Sequence, residues 1–191
     1  MNDLAFYFKQ GWQHIVSLNA LDHQLFIVAL SAIYMLKDWK KVLILVTAFT
    51  IGHSLTLALS IYDVVRANEK WVEFLIPITI IITAVSNFFL KGFNQKNLQI
   101  NYFFALFFGL IHGLGFANSI RFMLAGNQTI GPGLLGFNLG LEAGQIVCVT
   151  LILCTSYFLI HVLKLKRTWW IYILSTATII WAVKYAIERI P

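Results

Sequence analysis

The sequence predicts an all-α, polytopic membrane bundle: six transmembrane helices after a short N-terminal interfacial helix, in a single integral membrane domain over residues 1–191. Three observations carry this prediction. Hydrophobic residues make up 59% of the chain and charged residues only 12%, where a soluble domain carries about a quarter charged residues and under half apolar ones. Mean hydropathy is +0.78. Apolar runs long enough to cross a hydrocarbon core, about 20 residues, recur along the chain. Together these exclude a soluble globular enzyme, a disordered chain and a disulfide-rich secreted module. The net charge of +6, from 14 basic against 8 acidic residues, reads as basic loops facing anionic lipid, with no nucleic-acid partner.

Leu4 to Ser17 opens the chain. Leu4, Phe8, Trp12 and Ile15 share one helical face while Tyr7, Gln10, His14 and Ser17 lie elsewhere. This is the pattern of an interfacial helix, with a seventh membrane segment as the alternative. The opening MNDLAFYFKQ has an acid before its only lysine and no small-residue cleavage site, so a cleavable signal peptide is not expected. Leu18 to Leu36 is the first span and carries Asp22 and His23 near its start. Val42 to Tyr62 follows, interrupted only by His53. Phe74 to Leu90 is closed by Lys91 and Gly92, and Leu98 to Ile120 holds His112. Ile130 to Leu163, with Glu142 and His161 inside, is longer than a bilayer core requires at about 1.5 Å per residue. Its Gly131-Pro132-Gly133 start is expected to form a turn, with the helix running from Leu134. Trp169 to Val183, flanked by Arg167 and Lys184, is the last span. Cys148 and Cys154 lie six residues apart in an apolar run, which suits packed or lipid-facing thiols rather than a disulfide or a thiolate metal site.

Positive charge orients the bundle. Alternate loops gather Lys37, Lys40, Lys41, Lys91, Lys96, Lys164, Lys166 and Arg167 on one side, with Asp38 as the one acid. The other side holds Lys9, Arg66, Lys70, Arg121, Lys184 and Arg189 together with Asp3, Asp63, Glu69, Glu73 and Glu188. The first side is assigned to the cytoplasm, which leaves both termini periplasmic. Trp12, Trp71, Trp169, Trp170 and Trp181 fall near span ends, as an aromatic belt does.

Ionisable groups at membrane depth are costly and usually face a bundle interior or a water-filled cavity. Here they are Asp22, His23, His53, His112 and Glu142, with His14 just upstream. His53 and His112 each lie 11 residues into an outward-running span, counted from Val42 and Asn101, roughly 16 Å from its cytoplasmic end. Glu142 lies eight residues beyond Leu134, roughly 12 Å from the outer end. The set converges on the outer half of the membrane. Gly109 and Gly113 frame His112 in a G-x-x-x-G that lets a neighbouring helix approach. Asn138, Glu142 and Gln145 share one face, while Thr50 and Ser54 flank His53 and can orient an imidazole by hydrogen bonding. Imidazoles with carboxylates suit a divalent transition metal such as Ni, Co, Zn or Cu, and they also build proton relays.

The Asp22-His23 opening of a span, VTAFTIGHSLTLALS (Val46 to Ser60), FFGLIHGLGFA (Phe107 to Ala117) and GFNLGLEAGQ (Gly136 to Gln145) resemble, in order and over nearly the whole chain, the HupE/UreJ family of small bacterial membrane proteins. Members of that family are associated with nickel or cobalt supply to hydrogenase or urease. The resemblance implies a small metal permease of the bacterial inner membrane. By motif, metal handling maps to Asp22, His23, His53 and His112, with Glu142 on the following helix and His14 at the family's upstream histidine. Where the family often has glycine two residues before the Asp-His pair, this chain has Ala20.

Three functions follow as expectations. The first is a transporter: a divalent metal passes His14 and Asp22-His23 and binds at His53, His112 and Glu142. The second is a membrane-embedded zinc hydrolase using His53, His112 and Asp22 with Ser54, although the H-x-x-x-H of such enzymes is missing from a last span without histidine. The third is an accessory subunit in which the polar residues only lock helices together. The partners are the bilayer and a metal ion, and the sequence is compatible with a homo-oligomer.

Overall fold

The computed structural model describes residues 3–89, 95–124 and 130–191. Every regular element among them is helical: α1 (Asp3–Val16), α2 (Leu21–Ser31), α3 (Trp39–Ile61), α4 (Glu69–Phe89), α5 (Gln95–Leu124), α6 (Ile130–Tyr157) and α7 (Arg167–Glu188). A π-helical turn, Phe158–Val162, extends α6. Among the described residues, four stretches are long and apolar enough to cross a membrane: Leu36–Ile61, Glu69–Phe89, Ile130–Val162 and Arg167–Glu188. Leu21–Ser31 and Asn101–Ala117 are shorter apolar helices. The predicted Lys91-Gly92 end of the third span lies outside the described residues.

The surface is inverted relative to a soluble protein. Ile51, Leu55, Phe103, Phe107, Leu151 and Ile180 are exposed, whereas His53, His112, Thr178 and Gln145 are buried. Apolar groups outside and polar groups inside are what a hydrocarbon solvent selects. Trp71, Trp169 and Trp181 are exposed as an aromatic belt requires, but Trp170 is buried. Cys148 and Cys154 are free.

Three close helix pairs surround the short α2: α1 on α6, α3 on α5, and α4 on α7. Glycines set the first two pairs. Leu4 backbone lies against Gly136 and Phe8 backbone against Gly140, with Ile15 against Gly144, so α1 and α6 run in the same direction. Phe49 backbone meets Gly109 and His53 backbone meets Gly113, so α3 and α5 also run together. Without side chains at these points the backbones touch, which van der Waals packing rewards in lipid. The G-x-x-x-G expected around His112 therefore serves α3.

Two sequence expectations need correction. The stretch Gly131-Pro132-Gly133 is helical, because α6 begins at Ile130. Proline is tolerated in the first helical turn, where its missing N–H has no intrahelical acceptor. Glu142 is thereby one turn deeper than predicted. The first predicted span is also not one helix. Continuous α-helix covers only Leu21–Ser31, 11 residues, roughly 16 Å, which is half a hydrocarbon core.

The Ser17 N–H donates to the Gln13 carbonyl at 3.0 Å, after which Leu18–Ala20 form a 3-10 turn. The Gln24 side-chain amide donates to the carbonyls of Ile15, at 3.0 Å, and Ser17, at 2.9 Å, so it caps the orphaned C-terminal carbonyls of α1. Ala29 bonds Asn87 at the far end of α2 and α4 while Asp22 and Glu73 share a cleft at the near end, so these two helices run together. His112 meets Thr79 and Gly115 meets Ile76, so α4 opposes α5. Thr47 bonds Glu142, Thr50 bonds Gln145 and His53 faces Phe137, which seats α3 on α6. Directions thus match within α1 and α6, α2 and α4, and α3 and α5, with α4 opposing α5. The expected interfacial helix and the start of the first span are joined by the 3-10 turn, and His14 and His23 flank that junction.

Asn87 ties the end of the bundle opposite Asp22. Its amide donates to the Ala29 carbonyl at 2.9 Å and to Ser175 Oγ at 3.1 Å, joining α2, α4 and α7. Asn87→Ala strands two buried oxygens and is expected to destabilise the protein by about 1–3 kcal/mol, read as a lowered melting temperature in detergent. Asn87→Ala with unchanged melting would mean that these bonds carry no net stability.

Candidate metal centre

The break between α1 and α2 brings two histidines together. His14 lies in the last turn of α1, and His23 in the first turn of α2. The middle of α3 adds His53 beside Gly52, whose missing side chain lets α5 approach. The middle of α5 adds His112. One donor nitrogen from each of His14, His23 and His53 lies within 4.8 Å of the others. Their ring centroids are 4.6 Å apart for His14–His23 and 5.8 Å for His14–His53 and His23–His53. His112 stands against His23 at 5.2 Å.

These imidazoles are buried with unmet hydrogen-bonding capacity. His53 is 0% and His112 1% exposed. Among the described residues, no partner meets His14 Nε2, His23 Nε2, either ring nitrogen of His53, or His112 Nδ1. An unsatisfied buried polar group costs about 1–3 kcal/mol. A cluster of them is an unstable choice for a packing core and an apt one for a ligand that supplies the missing bonds. Donors on one ion at about 2.1 Å sit about 3.4 Å apart, so side-chain rotation of about an ångström converts this cluster into a ligand set. Aromatic rings wall it: Phe116 and Phe137 beside His14, Phe49 and Phe26 beside His112.

The hydrogen bonds of α4 reach His112. Thr79 Oγ donates to the Ile76 carbonyl at 2.7 Å and lies 3.0 Å from His112 Nε2. While the hydroxyl proton points to the Ile76 carbonyl, the Thr79 oxygen can only accept, from His112 Nε2–H. In that tautomer the lone pair of His112 is on Nδ1, which has no partner among the described residues. Such an outer hydrogen bond commonly orients a metal-binding imidazole. Nearby Pro77 also removes the helical donor for the Glu73 carbonyl.

The other predicted site residues fall elsewhere. Asp22 opens α2, with Oδ2 accepting from Arg189 at 2.9 Å and Oδ1 buried with no partner among the described residues. Glu142 accepts from Thr47 at 2.7 Å, outside the histidine cluster. Thr47 precedes His53 by six residues, roughly 9 Å along α3. Thr50 donates to Gln145 Oε1 at 2.8 Å, which joins α3 to α6 under the cluster. Ser54 donates back to the Thr50 carbonyl at 2.6 Å. Asn138 Oδ1 is buried with no partner among the described residues. His161 lies beside Tyr157, with ring centroids 4.8 Å apart. Sequence reading missed Thr79, Gln24 and Arg189, and no local motif marks them, since each acts across a helix junction. A cleft of about 200 Å³ reaches His14, His23 and His112 from the side of Asp22, Glu73 and Arg189.

The HupE / UreJ protein family matches residues 1–189, nearly the entire chain. The chain belongs to the HupE/UreJ family. This family is generally linked to nickel and cobalt transport, and the resemblance read from the four motifs is thus a membership. No curated protein and no solved structure matches the chain. In this HupE/UreJ protein the donor nitrogens of His14, His23 and His53 lie close together among helices that include four long and apolar enough to cross a membrane among the described residues.

Proposed function

We propose that this protein is a permease for a nickel- or cobalt-class divalent cation in the bacterial cytoplasmic membrane, acting as one membrane domain over residues 1–191 with both termini periplasmic. The observation that carries the proposal is the set of donor nitrogens of His14, His23 and His53 within 4.8 Å of one another. Three neutral imidazoles without thiolates suit borderline metals rather than Mg or Ca. The junction of α1 and α2 beside the site has a further use. The C-terminal carbonyl end of α1 carries partial negative charge, which favours a cation, and helix ends commonly meet ions at transporter substrate sites.

The cation enters through the periplasmic cleft, past Asp22, and is taken by His14, His23 and His53. His112, held by Thr79 with Nδ1 free, is the fourth imidazole. Glu142 lies about 9 Å further along α3 towards the cytoplasm. It is the next acceptor on the way in, and its carboxylate offsets the charge that neutral imidazoles leave uncompensated. Less supports a hydrolase: Ser54 donates to the Thr50 carbonyl of its own helix and Asp22 is paired with Arg189.

Proteoliposomes loaded with a metal-sensing dye test this. External Ni²⁺ or Co²⁺ is expected to give a signal that vanishes in the His53→Ala, His112→Ala double variant. Equal signals from wild type and the double variant, or none from wild type, would sink the proposal.

A further inference from the structure

The cleft that leads to the histidines has a cation of its own. Arg189 is the residue that caps α7, two positions from the last residue of the sequence and 167 positions from the acid it meets. Its Nη1 donates to Asp22 Oδ2 at 2.9 Å, with the pair largely enclosed: Arg189 is 28% and Asp22 18% exposed. The Tyr185 ring, one turn back on α7, lies 5.1 Å from the guanidinium and supports it. Glu73, from the first turns of α4, lines the same opening. Two acids and one guanidinium thus stand at the mouth, with His23 and His112 behind them.

We propose that Arg189 is an electrostatic gate: a tethered cation that holds Asp22 and must give it up before a divalent ion passes to the histidines. The proposal rests on the metal-binding reading of the cluster. Its physical basis is simple. A guanidinium is charged at all relevant pH values and pairs well with a carboxylate. It repels a dication in the same narrow cleft, and it occupies the oxygen that would draw that dication inward. Glu73 gives the guanidinium a second carboxylate at the same opening, so moving off Asp22 does not leave it unpaired. Monovalent ions gain half as much from the two acids as a dication does, so they displace Arg189 less readily. The gate therefore favours dications while slowing them.

Co²⁺ reports the effect, since its visible absorption changes when imidazole replaces water. The full chain in nanodiscs is mixed with Co²⁺ in a stopped-flow instrument. A unit charge about 7 Å from a dication in water-like surroundings changes its local concentration roughly tenfold. Arg189→Gln is expected to raise the association rate by about that factor. Lys184→Gln, which removes the same charge from α7 at a residue paired with Glu188 outside the cleft, is expected to leave it within about twofold by the same reasoning. A second variant varies charge within one folded protein: Arg189→Cys in a chain with Cys148→Ala and Cys154→Ala. Modification with a cationic methanethiosulfonate is expected to slow Co²⁺ association, and an anionic one to speed it. Equal rates for wild type and Arg189→Gln, or for the two modified forms, overturn the gate while leaving the metal site standing. A wild type that binds no Co²⁺ overturns the metal reading and the gate together.

Discussion

His53→Leu is expected to give an apo protein more stable than wild type that no longer binds divalent metal. The two halves have one cause. His53 is fully enclosed, and neither ring nitrogen has a partner among the described residues. In the metal-free protein that imidazole is a liability of about 1–3 kcal/mol, and an apolar side chain of similar size removes it. With metal the sign reverses. Even removal of a partner outside the ligand set typically costs 10–100-fold in affinity, so loss of a central donor is expected to cost at least about a hundredfold. Melting curves with and without Co²⁺ check both halves. Wild type should gain about 2.7 kcal/mol at a metal concentration of about 100 Kd, while the variant gains nothing. An accessory protein whose histidines only lock helices together predicts the reverse: His53→Leu would be destabilised, with metal content unaltered.

Gly140→Ala is expected to weaken metal binding by tenfold or more although residue 140 touches no histidine. A Cβ at Gly140 would overlap the Phe8 carbonyl of α1, a backbone atom that cannot turn aside. The same holds across the seam, where a Cβ at Gly11 would overlap the Phe137 carbonyl of α6. One methyl group must therefore push the helices apart, at a cost of about 1–3 kcal/mol. Because α1 carries His14, separation draws one donor away from His23 and His53. Gly131→Ala is the matched control: it sits in the same helix with nothing within 4 Å of the added carbon, and helix propensity makes it neutral or stabilising by up to about 1 kcal/mol. Hydrogen exchange at α1 amides and Co²⁺ affinity are the readouts. If Gly140→Ala matches Gly131→Ala in both, the close approach of α1 does not position the site.

Much of the bundle was legible in the chain. Lipid as solvent leaves a strong linear signature, because a helix that satisfies its own backbone must be apolar along its length. α3, α4 and α7 accordingly lie where their apolar runs predict. His23, His53 and His112 stood out because ionisable groups are so rare at that depth. The failures share a form. Hydropathy cannot locate the break at Leu18–Ala20, because the side chains stay apolar while the backbone changes. It could not tell that Gly131-Pro132-Gly133 continues α6, since a first turn tolerates what an interior turn does not.

What the sequence determined by itself is the solvent, the helices and the identity of the rare polar groups, because each is a property of one segment and its composition. What only the tertiary structure decided is which of those groups meet. His14 joins the cluster because three glycines bring α1 onto α6. Glu142, on the face that sequence had assigned to the metal, is instead held by Thr47. Asp22 faces a guanidinium from the far end of the chain. Helix faces are written in the sequence, but their pairing depends on backbone approach and rotation between helices, which no single segment encodes.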